Sequence, residues 1–291
     1  MHFDRVSAVE EGEGTVAVEA WTQAVRNQLA LGRLLPLGGP EDGTWITEEA
    51  AVRALRRAAA EIPGVRLETL RIGSAPHEPV SEPAVRPPAS ALPPGPLRIE
   101  ATFAASLGEP LPHTADQLRS ALLNWASERL GLVTVTADLR VTDLLEGSET
   151  VVKSRTTAEP MRPAPKAAAA PAPAPARSSP PVTGTGSMQG PVGELADVVT
   201  GVPGVARLTA VPGGRPVKME DLDDPPGRHV EIHLAVAPGH HPLVVARAVR
   251  DAVADAVITS TAGTTGSVTA AVLVTETAAW PPRRPGPPAP R

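Results

Sequence analysis

One four-residue phrase occurs twice and limits what this chain can fold into. Ile62-Pro63-Gly64-Val65 returns as Val202-Pro203-Gly204-Val205, an offset of 140 (204 − 64). Upstream, Val52, Leu55, Ala58, Ala59 and Ile62 map at that offset onto Val192, Leu195, Val198, Val199 and Val202. Both sets have the 3, 4, 7 spacing of one helix face. Proline disfavours helix in the residue before it and glycine turns the chain, so each copy predicts a helix that stops and a strand that starts.

Further matches follow in the same order. Leu97, Ile99, Ala101 and Phe103 alternate as the buried face of a strand, and Val230, Ile232, Leu234 and Val236 repeat them at an offset of 133. The helix pattern Leu118 to Leu122 returns as Val249 to Val253, at 131. Val135-Thr136-Ala137-Asp138-Leu139-Arg140-Val141-Thr142 matches Val268 to Thr275 at 133, with five of eight residues identical. These matches predict an α+β fold made by tandem duplication: two small domains, each helix-strand-strand-helix-strand, with two helices on one face of a three-stranded sheet. The last strand should lie beside the second through a right-handed crossover.

The expected boundaries are an N-terminal extension over 1–44, a first repeat over 45–145, a linker over 146–190, a second repeat over 191–277 and a tail over 278–291. In the extension, Val18, Trp21, Val25 and Leu29 predict a helix from Thr15 to Leu31. Leu31, Leu34, Leu35 and Leu37 should dock on the first repeat, the alternative being a partner surface. Thr47 should N-cap the first repeat's helix. The strand after it should turn Val65, Leu67 and Thr69 to one side. A second helix from Pro112 to Leu130 should carry Ala115, Leu118, Leu122 and Trp125 on one stripe, ending at Gly131. Residues 73–96 are a proline-rich loop too polar for a core. The linker and tail, rich in Ala and Pro, cannot bury enough apolar surface to order themselves and favour extended polyproline II. Loosely tethered domains are therefore expected.

Composition removes several function classes. The chain has no cysteine, so disulfides, thiolate nucleophiles and cysteine-bound zinc are excluded. No run of 18 apolar residues exists, and the N-terminus is acidic without a secretory core. A cytoplasmic protein is expected, reaching a membrane only peripherally through partners. Residues 1–150 carry 13 basic and 21 acidic side chains, net −8, which opposes a surface that tracks phosphates. Small domains of this element order resemble K-homology modules, but neither copy has a Gly-x-x-Gly loop between two helices with basic flanks, or stacking aromatics, so nucleic-acid binding ranks third.

The best polar cluster is His229, Glu231 and His233, with His240 and His241 nearby. Residues 229, 231 and 233 share the outward, solvated face of a strand. His229 and His233 stand about 13 Å apart at ~3.3 Å per residue, too far to bind one metal directly. Pairing Glu231 or His233 with His240 or His241 across a turn is the remaining option. Glu220-Asp221-Leu222-Asp223-Asp224 reads as an acidic loop and Pro212-Gly213-Gly214-Arg215 as a turn. Gly184-Thr185-Gly186-Ser187 opens no strand-helix unit, and no nucleophile elbow or metalloprotease helix occurs. No catalytic, cofactor-binding or metal-binding residue is assigned.

The helix ending in Val202 to Val205, the valine-rich strand Val230 to Val236 and the helix segment Val249-Arg250-Asp251-Ala252-Val253 resemble the alkaline-shock and Gls general-stress protein family of bacteria. The likeness covers roughly 85–100 residues in each copy and is closer in the second. The first departs through its 73–96 loop and its Trp125 helix. The whole chain, including Asn27 to Gly39, also resembles streptomycete-type proteins bearing a nucleopolyhedrovirus fibrous-body label, from which no function is read. The alkaline-shock resemblance implies a non-enzymatic protein without cofactors that works through protein partners, related stress proteins or its own copies. The alternative is a ligand- or metal-binding, conceivably enzymatic, second domain centred on His229, Glu231 and His233.

Overall fold

The computed structural model of the chain describes residues 31–76, 82–88, 90–145, 190–210, 214–223, 226–260 and 267–278. All but Leu31 of the predicted first helix, nearly all of the linker and tail, and Pro212 and Gly213 lie outside the described residues. Two short strands, β1 (Leu34–Pro36) and β2 (Thr44–Thr47), lead into helix α1 (Glu48–Ala60). Strands β3 (Val65–Ser74) and β4 (Leu97–Ser106) follow, then α2 (Leu111–Trp125), a π turn (Ala126–Leu130) and β5 (Thr134–Leu145). The second copy has α3 (Pro191–Gly201), β6 (Val205–Leu208), β7 (Val217–Asp223), β8 (Pro226–Val236), α4 (Pro242–Ser260) and β9 (Ser267–Thr277). The α+β class holds.

The two Pro-Gly turns perform the same task. Gly64 and Gly204 have φ of +72° and +95°, a region open to glycine and strained for other residues. The Gly64 carbonyl accepts from Ser106 N and the Gly204 carbonyl from Ala237 N, both at 2.8 Å. Each turn is thereby tied to the end of its own copy's central strand. Above the turns, Leu55 and Leu195 are buried at matching positions, as are Ala59 and Val199. Thr47 caps α1 as predicted, its hydroxyl accepting from Ala50 N at 3.3 Å.

The first copy's sheet has the order β3-β4-β5, antiparallel then parallel. Leu97, Ile99, Ala101 and Phe103 all point into the core. Thr69 does not: the register shifts between Leu67 and Thr69, so Leu70 and Ile72 become the buried residues and Thr69 is exposed. Along the second helix, Leu118 and Leu122 are buried as predicted, but Trp125 is only half-buried. The π turn rephases the stripe, placing Ala126 and Leu130 inward before Gly131 ends it at φ +85°.

The second copy repeats this pairing with its first strand interrupted. Segments β6 and β7 lie end to end along β8, and the chain leaves the sheet between them. Thr209 N donates to the His233 carbonyl at 3.0 Å, and His233 N donates to the Pro216 carbonyl at 2.8 Å, bracketing the excursion. Glu220 to Asp223 belong to β7 instead of an acidic loop, because Val217 and Met219 alternate into the core. The parallel pair is also offset from the sequence match. Ile99 faces Ala137 while Ile232 faces Val272, so the last strands correspond at 135 (272 − 137), not 133. A shift of two residues keeps every side chain on its face, so alternation alone could not detect it.

Strands from the N-terminal extension and the start of the first repeat enlarge the second sheet to six strands, ordered β1-β2-β9-β8 with β6 and β7 beyond. Thr44, Trp45 and Ile46 of β2 run parallel to Val272, Leu273 and Val274 of β9. The leucine segment therefore joins the sheet of the second copy and also docks on the first, Leu35 and Leu37 sharing a cluster with Leu55 and Phe103. In place of two separate cores, one buried apolar cluster runs from Leu35, Ile46, Leu55 and Phe103 to Leu195, Ile232, Val249 and Val272. Loose tethering gives way to a shared interior. Among the described residues, no helix is long and apolar enough to cross a membrane.

Candidate functional site

The polar row His229, Glu231, His233 is buried, not solvated. Strand β8 is covered on both faces: Val230, Ile232, Leu234 and Val236 meet the shared core, while His229 and His233 are 8% and 1% exposed on the other side. The cover comes from the proline-rich 73–96 loop of the first copy. Val85 is buried against Leu34, Trp45, Ala271 and Leu273, with Leu31 and Ala91 beside them. Backbone bonds hold the strap: Leu34 N donates to the Ser90 carbonyl at 3.1 Å, Leu92 N to the Leu34 carbonyl at 2.8 Å, and Ala84 N to the Pro40 carbonyl at 3.0 Å. The expectation that this loop is too polar for a core fails because Val85, Ala91 and Leu92, spaced between prolines, pack against the buried clusters.

Within the row, one Glu231 oxygen contacts His233 Nε2 at 2.7 Å and Lys218 Nζ at 3.0 Å. Burial alone would raise the Glu231 carboxyl, but His233 and Lys218 outweigh it and hold it at about 2. His229 Nδ1 and the Thr269 hydroxyl are hydrogen-bonded at 2.9 Å. Burial lowers His229 below its ordinary value, with Glu231 and Glu220 opposing and Arg86 assisting. A cavity of about 220 Å³ lies beside the row, lined by Arg86, Pro87, Pro88, Lys218, Glu220, His229 and Glu231. His233 does not line it, and its Nδ1 is buried without a hydrogen-bonding partner, as is Trp45 Nε1 across Leu273.

The other two histidines are elsewhere. His240 is exposed at the turn before α4, with Nδ1 3.2 Å from the Pro238 carbonyl. His241 packs against Gly131, at the end of the first copy's π turn. Its proton affinity is lowered by burial, then by Arg247 and Arg129, against the Glu128 and Ser127 carbonyls. Neither joins Glu231 or His233. Among the described residues, no group of three or more His, Asp or Glu is placed to hold a metal ion. Glu231 orients His233 as a carboxylate orients a general base, and among the described residues no hydroxyl nucleophile is hydrogen-bonded to that imidazole.

The surface distinguishes the sheet edges more clearly than any pocket does. The outer edge of β3 is guarded: Glu48 accepts from Ile72 N at 3.1 Å, Arg33 donates to the Ile72 carbonyl at 3.2 Å, and Arg56 donates to the Glu68 carbonyl at 2.9 Å. Charged side chains on an edge discourage added strands. The outer edge of β9 is filled by β2. On β5, among the described residues, no strand pairs with the outer edge. Of seven exposed large apolar residues among the described ones, Val133, Val135, Val141 and Leu144 lie on or immediately before this strand. Sequence alternation located β5 but not its freedom, because edge position is a property of the whole sheet. Comparison with protein-family models, with curated proteins and with solved structures finds no match.

Proposed function

We propose that the chain is a non-enzymatic assembly protein whose docking element is the outer edge of β5. The observation that carries this reading is the contrast among three edges: one bonded by Arg33, Glu48 and Arg56, one filled by β2, and that of β5, which has no paired strand among the described residues, carries exposed Val135, Val141 and Leu144, and is met by the Arg119 side chain at the Ala137 carbonyl. A strand edge recognises another chain through its own backbone groups, with flanking side chains supplying selection. The alkaline-shock resemblance points in the same direction, toward work through protein partners and a membrane role only through them. That resemblance implies separate modules, whereas these copies share one interior, and the support for docking comes from β5. The alternative at His229, Glu231 and His233 has less support, since its charges are paired with one another beneath the strap.

Light scattering on the full chain, with co-purification from native cells, tests the proposal. Self-association or a retained partner is expected, and lysines at Val135 and Val141 should abolish it. A strict monomer retaining nothing overturns the reading. Metal analysis beside a His233→Ala control tests the alternative.

A further inference from the structure

We infer that the strand taken up by β5 is β5 of a second copy, paired antiparallel about a twofold axis at Leu139. This rests on the reading of β5 as the docking edge and names its partner.

The chain itself supplies the precedent. In the second copy the corresponding strand, β9, accepts an added strand, and that strand's Trp45 and Ile46 fill both faces of the extended sheet. The residues standing in the same relation to α3 are 184–187 (44 + 140 = 184), which read Gly-Thr-Gly-Ser and offer no apolar pair. The position on β5 is therefore an acceptor for which the chain's own counterpart lacks the side chains.

The sequence of β5 is self-complementary. Its register is regular from Thr136 to Val141, between irregularities at Val135 and Thr142. A strand that pairs with its own copy across a twofold must run antiparallel. With Leu139 opposite Leu139 of the second copy, Ala137 meets Val141 on the helix side. On the outer side Asp138 meets Arg140, and Arg140 meets Asp138. From Ala137 to Val141 every apolar residue then faces an apolar one, and both charge pairs are opposite in sign, the arrangement that stabilises cross-strand neighbours. Arg140 forms no ion pair among the described residues, and Asp138 has only a 3.7 Å contact with Arg98. One obstacle is local: Arg119 Nε donates to the Ala137 carbonyl at 3.2 Å and must swing aside.

Charge exchange on the full chain tests the inference, read by sedimentation equilibrium. Asp138→Arg places arginine against arginine and Arg140→Asp places aspartate against aspartate, so each alone should weaken self-association about tenfold or more. An equimolar mixture of the two single variants should restore it, as should the double exchange, and mutual rescue requires that both be folded. A wild-type monomer at every accessible concentration overturns the inference. So does a dimer indifferent to the exchanges, or single variants that fail to rescue each other. The broader reading fails separately, only if lysines at Val135 and Val141 also leave association and partner retention unchanged.

Discussion

Asp42 and Arg247 form a two-point ion pair across 205 residues of chain, with Nε to Oδ1 at 2.6 Å and Nη2 to Oδ2 at 2.8 Å. The carboxylate also accepts from Gly39 N at 2.7 Å, closing the turn between β1 and β2. Arg250 donates to the Glu41 and Asp42 carbonyls. Helix α4 thus grips the turn that delivers β2 to β9. Burial would raise Asp42, but Arg247, Gly39 and Arg250 together lower it.

Arg247→Ala should destabilise the chain by about 1–3 kcal/mol, since it leaves a buried carboxylate short of a partner while Arg250 remains near. The Asp42 side chain is 7% exposed and that of Arg247 is 50%, so the cost falls on the aspartate. A group whose folded value is depressed contributes above its unfolded value and loses that contribution below it. The stabilisation should therefore be full above about pH 4 and fade as pH falls below 3.8. Urea denaturation across that range, with Asp42→Asn as control, checks both size and sign.

The paired Pro-Gly turns give unequal penalties. A Cβ on Gly64 would stand 2.2 Å from the Ser106 hydroxyl, which can rotate away. A Cβ on Gly204 would stand 2.6 Å from Val245 Cγ2, a buried branched side chain that cannot. Both alanine variants should lose roughly 1–3 kcal/mol from backbone strain, Gly204→Ala more than Gly64→Ala. Equal denaturation midpoints would contradict this.

The polar row makes stability rise with pH in two windows. Glu231, near 2 when folded against 4.5, contributes fully above about 4.5 and loses that contribution toward 2. His229 is lowered from 6.5, so the unfolded chain takes its proton first and stability falls as pH drops below 6.5. His241 is lowered too and adds in the same direction. Melting temperature should climb from pH 5 toward 7, with His229→Asn removing part of the slope there. Glu231→Gln should flatten the acid window and, by removing a charge that opposes the lowering of His229, steepen the upper one.

Val85→Asp should unseat the strap without unfolding the sheet, because the strap's backbone anchors sit at Ala84 and at Ser90 to Leu92. A charge placed among Trp45, Ala271 and Leu273 cannot be solvated there. His229 should become reactive toward diethyl pyrocarbonate while the far-ultraviolet circular dichroism is retained. Unchanged protection of His229 would count against the strap.

Local signals were read well where burial follows a short period. The alternation of Leu97 to Phe103, the helix faces through Leu55 and Leu195, and the Thr47 cap all stood in the sequence because neighbours along the chain decide them. What escaped is non-local or too brief. The four residues of β2 have no period to read, and their partner lies more than 200 residues away. Strand β7 was hidden by its acids, although Val217 and Met219 alternate. The alternation of β8 predicts a solvated row at His229, because nothing in that strand announces a strap arriving from residues 82–92.

The seat of β2 on β9 dictates when this fold can finish during synthesis. Trp45 and Ile46 are made more than 200 residues before Val272, Leu273 and Val274, the strand they lie against. Two apolar faces must be sheltered while the intervening residues are synthesised, and a nascent chain arrested before residue 267 has no place to put them. Closure of the large sheet thus waits for β9, and it inspects two distant stretches of the product at once.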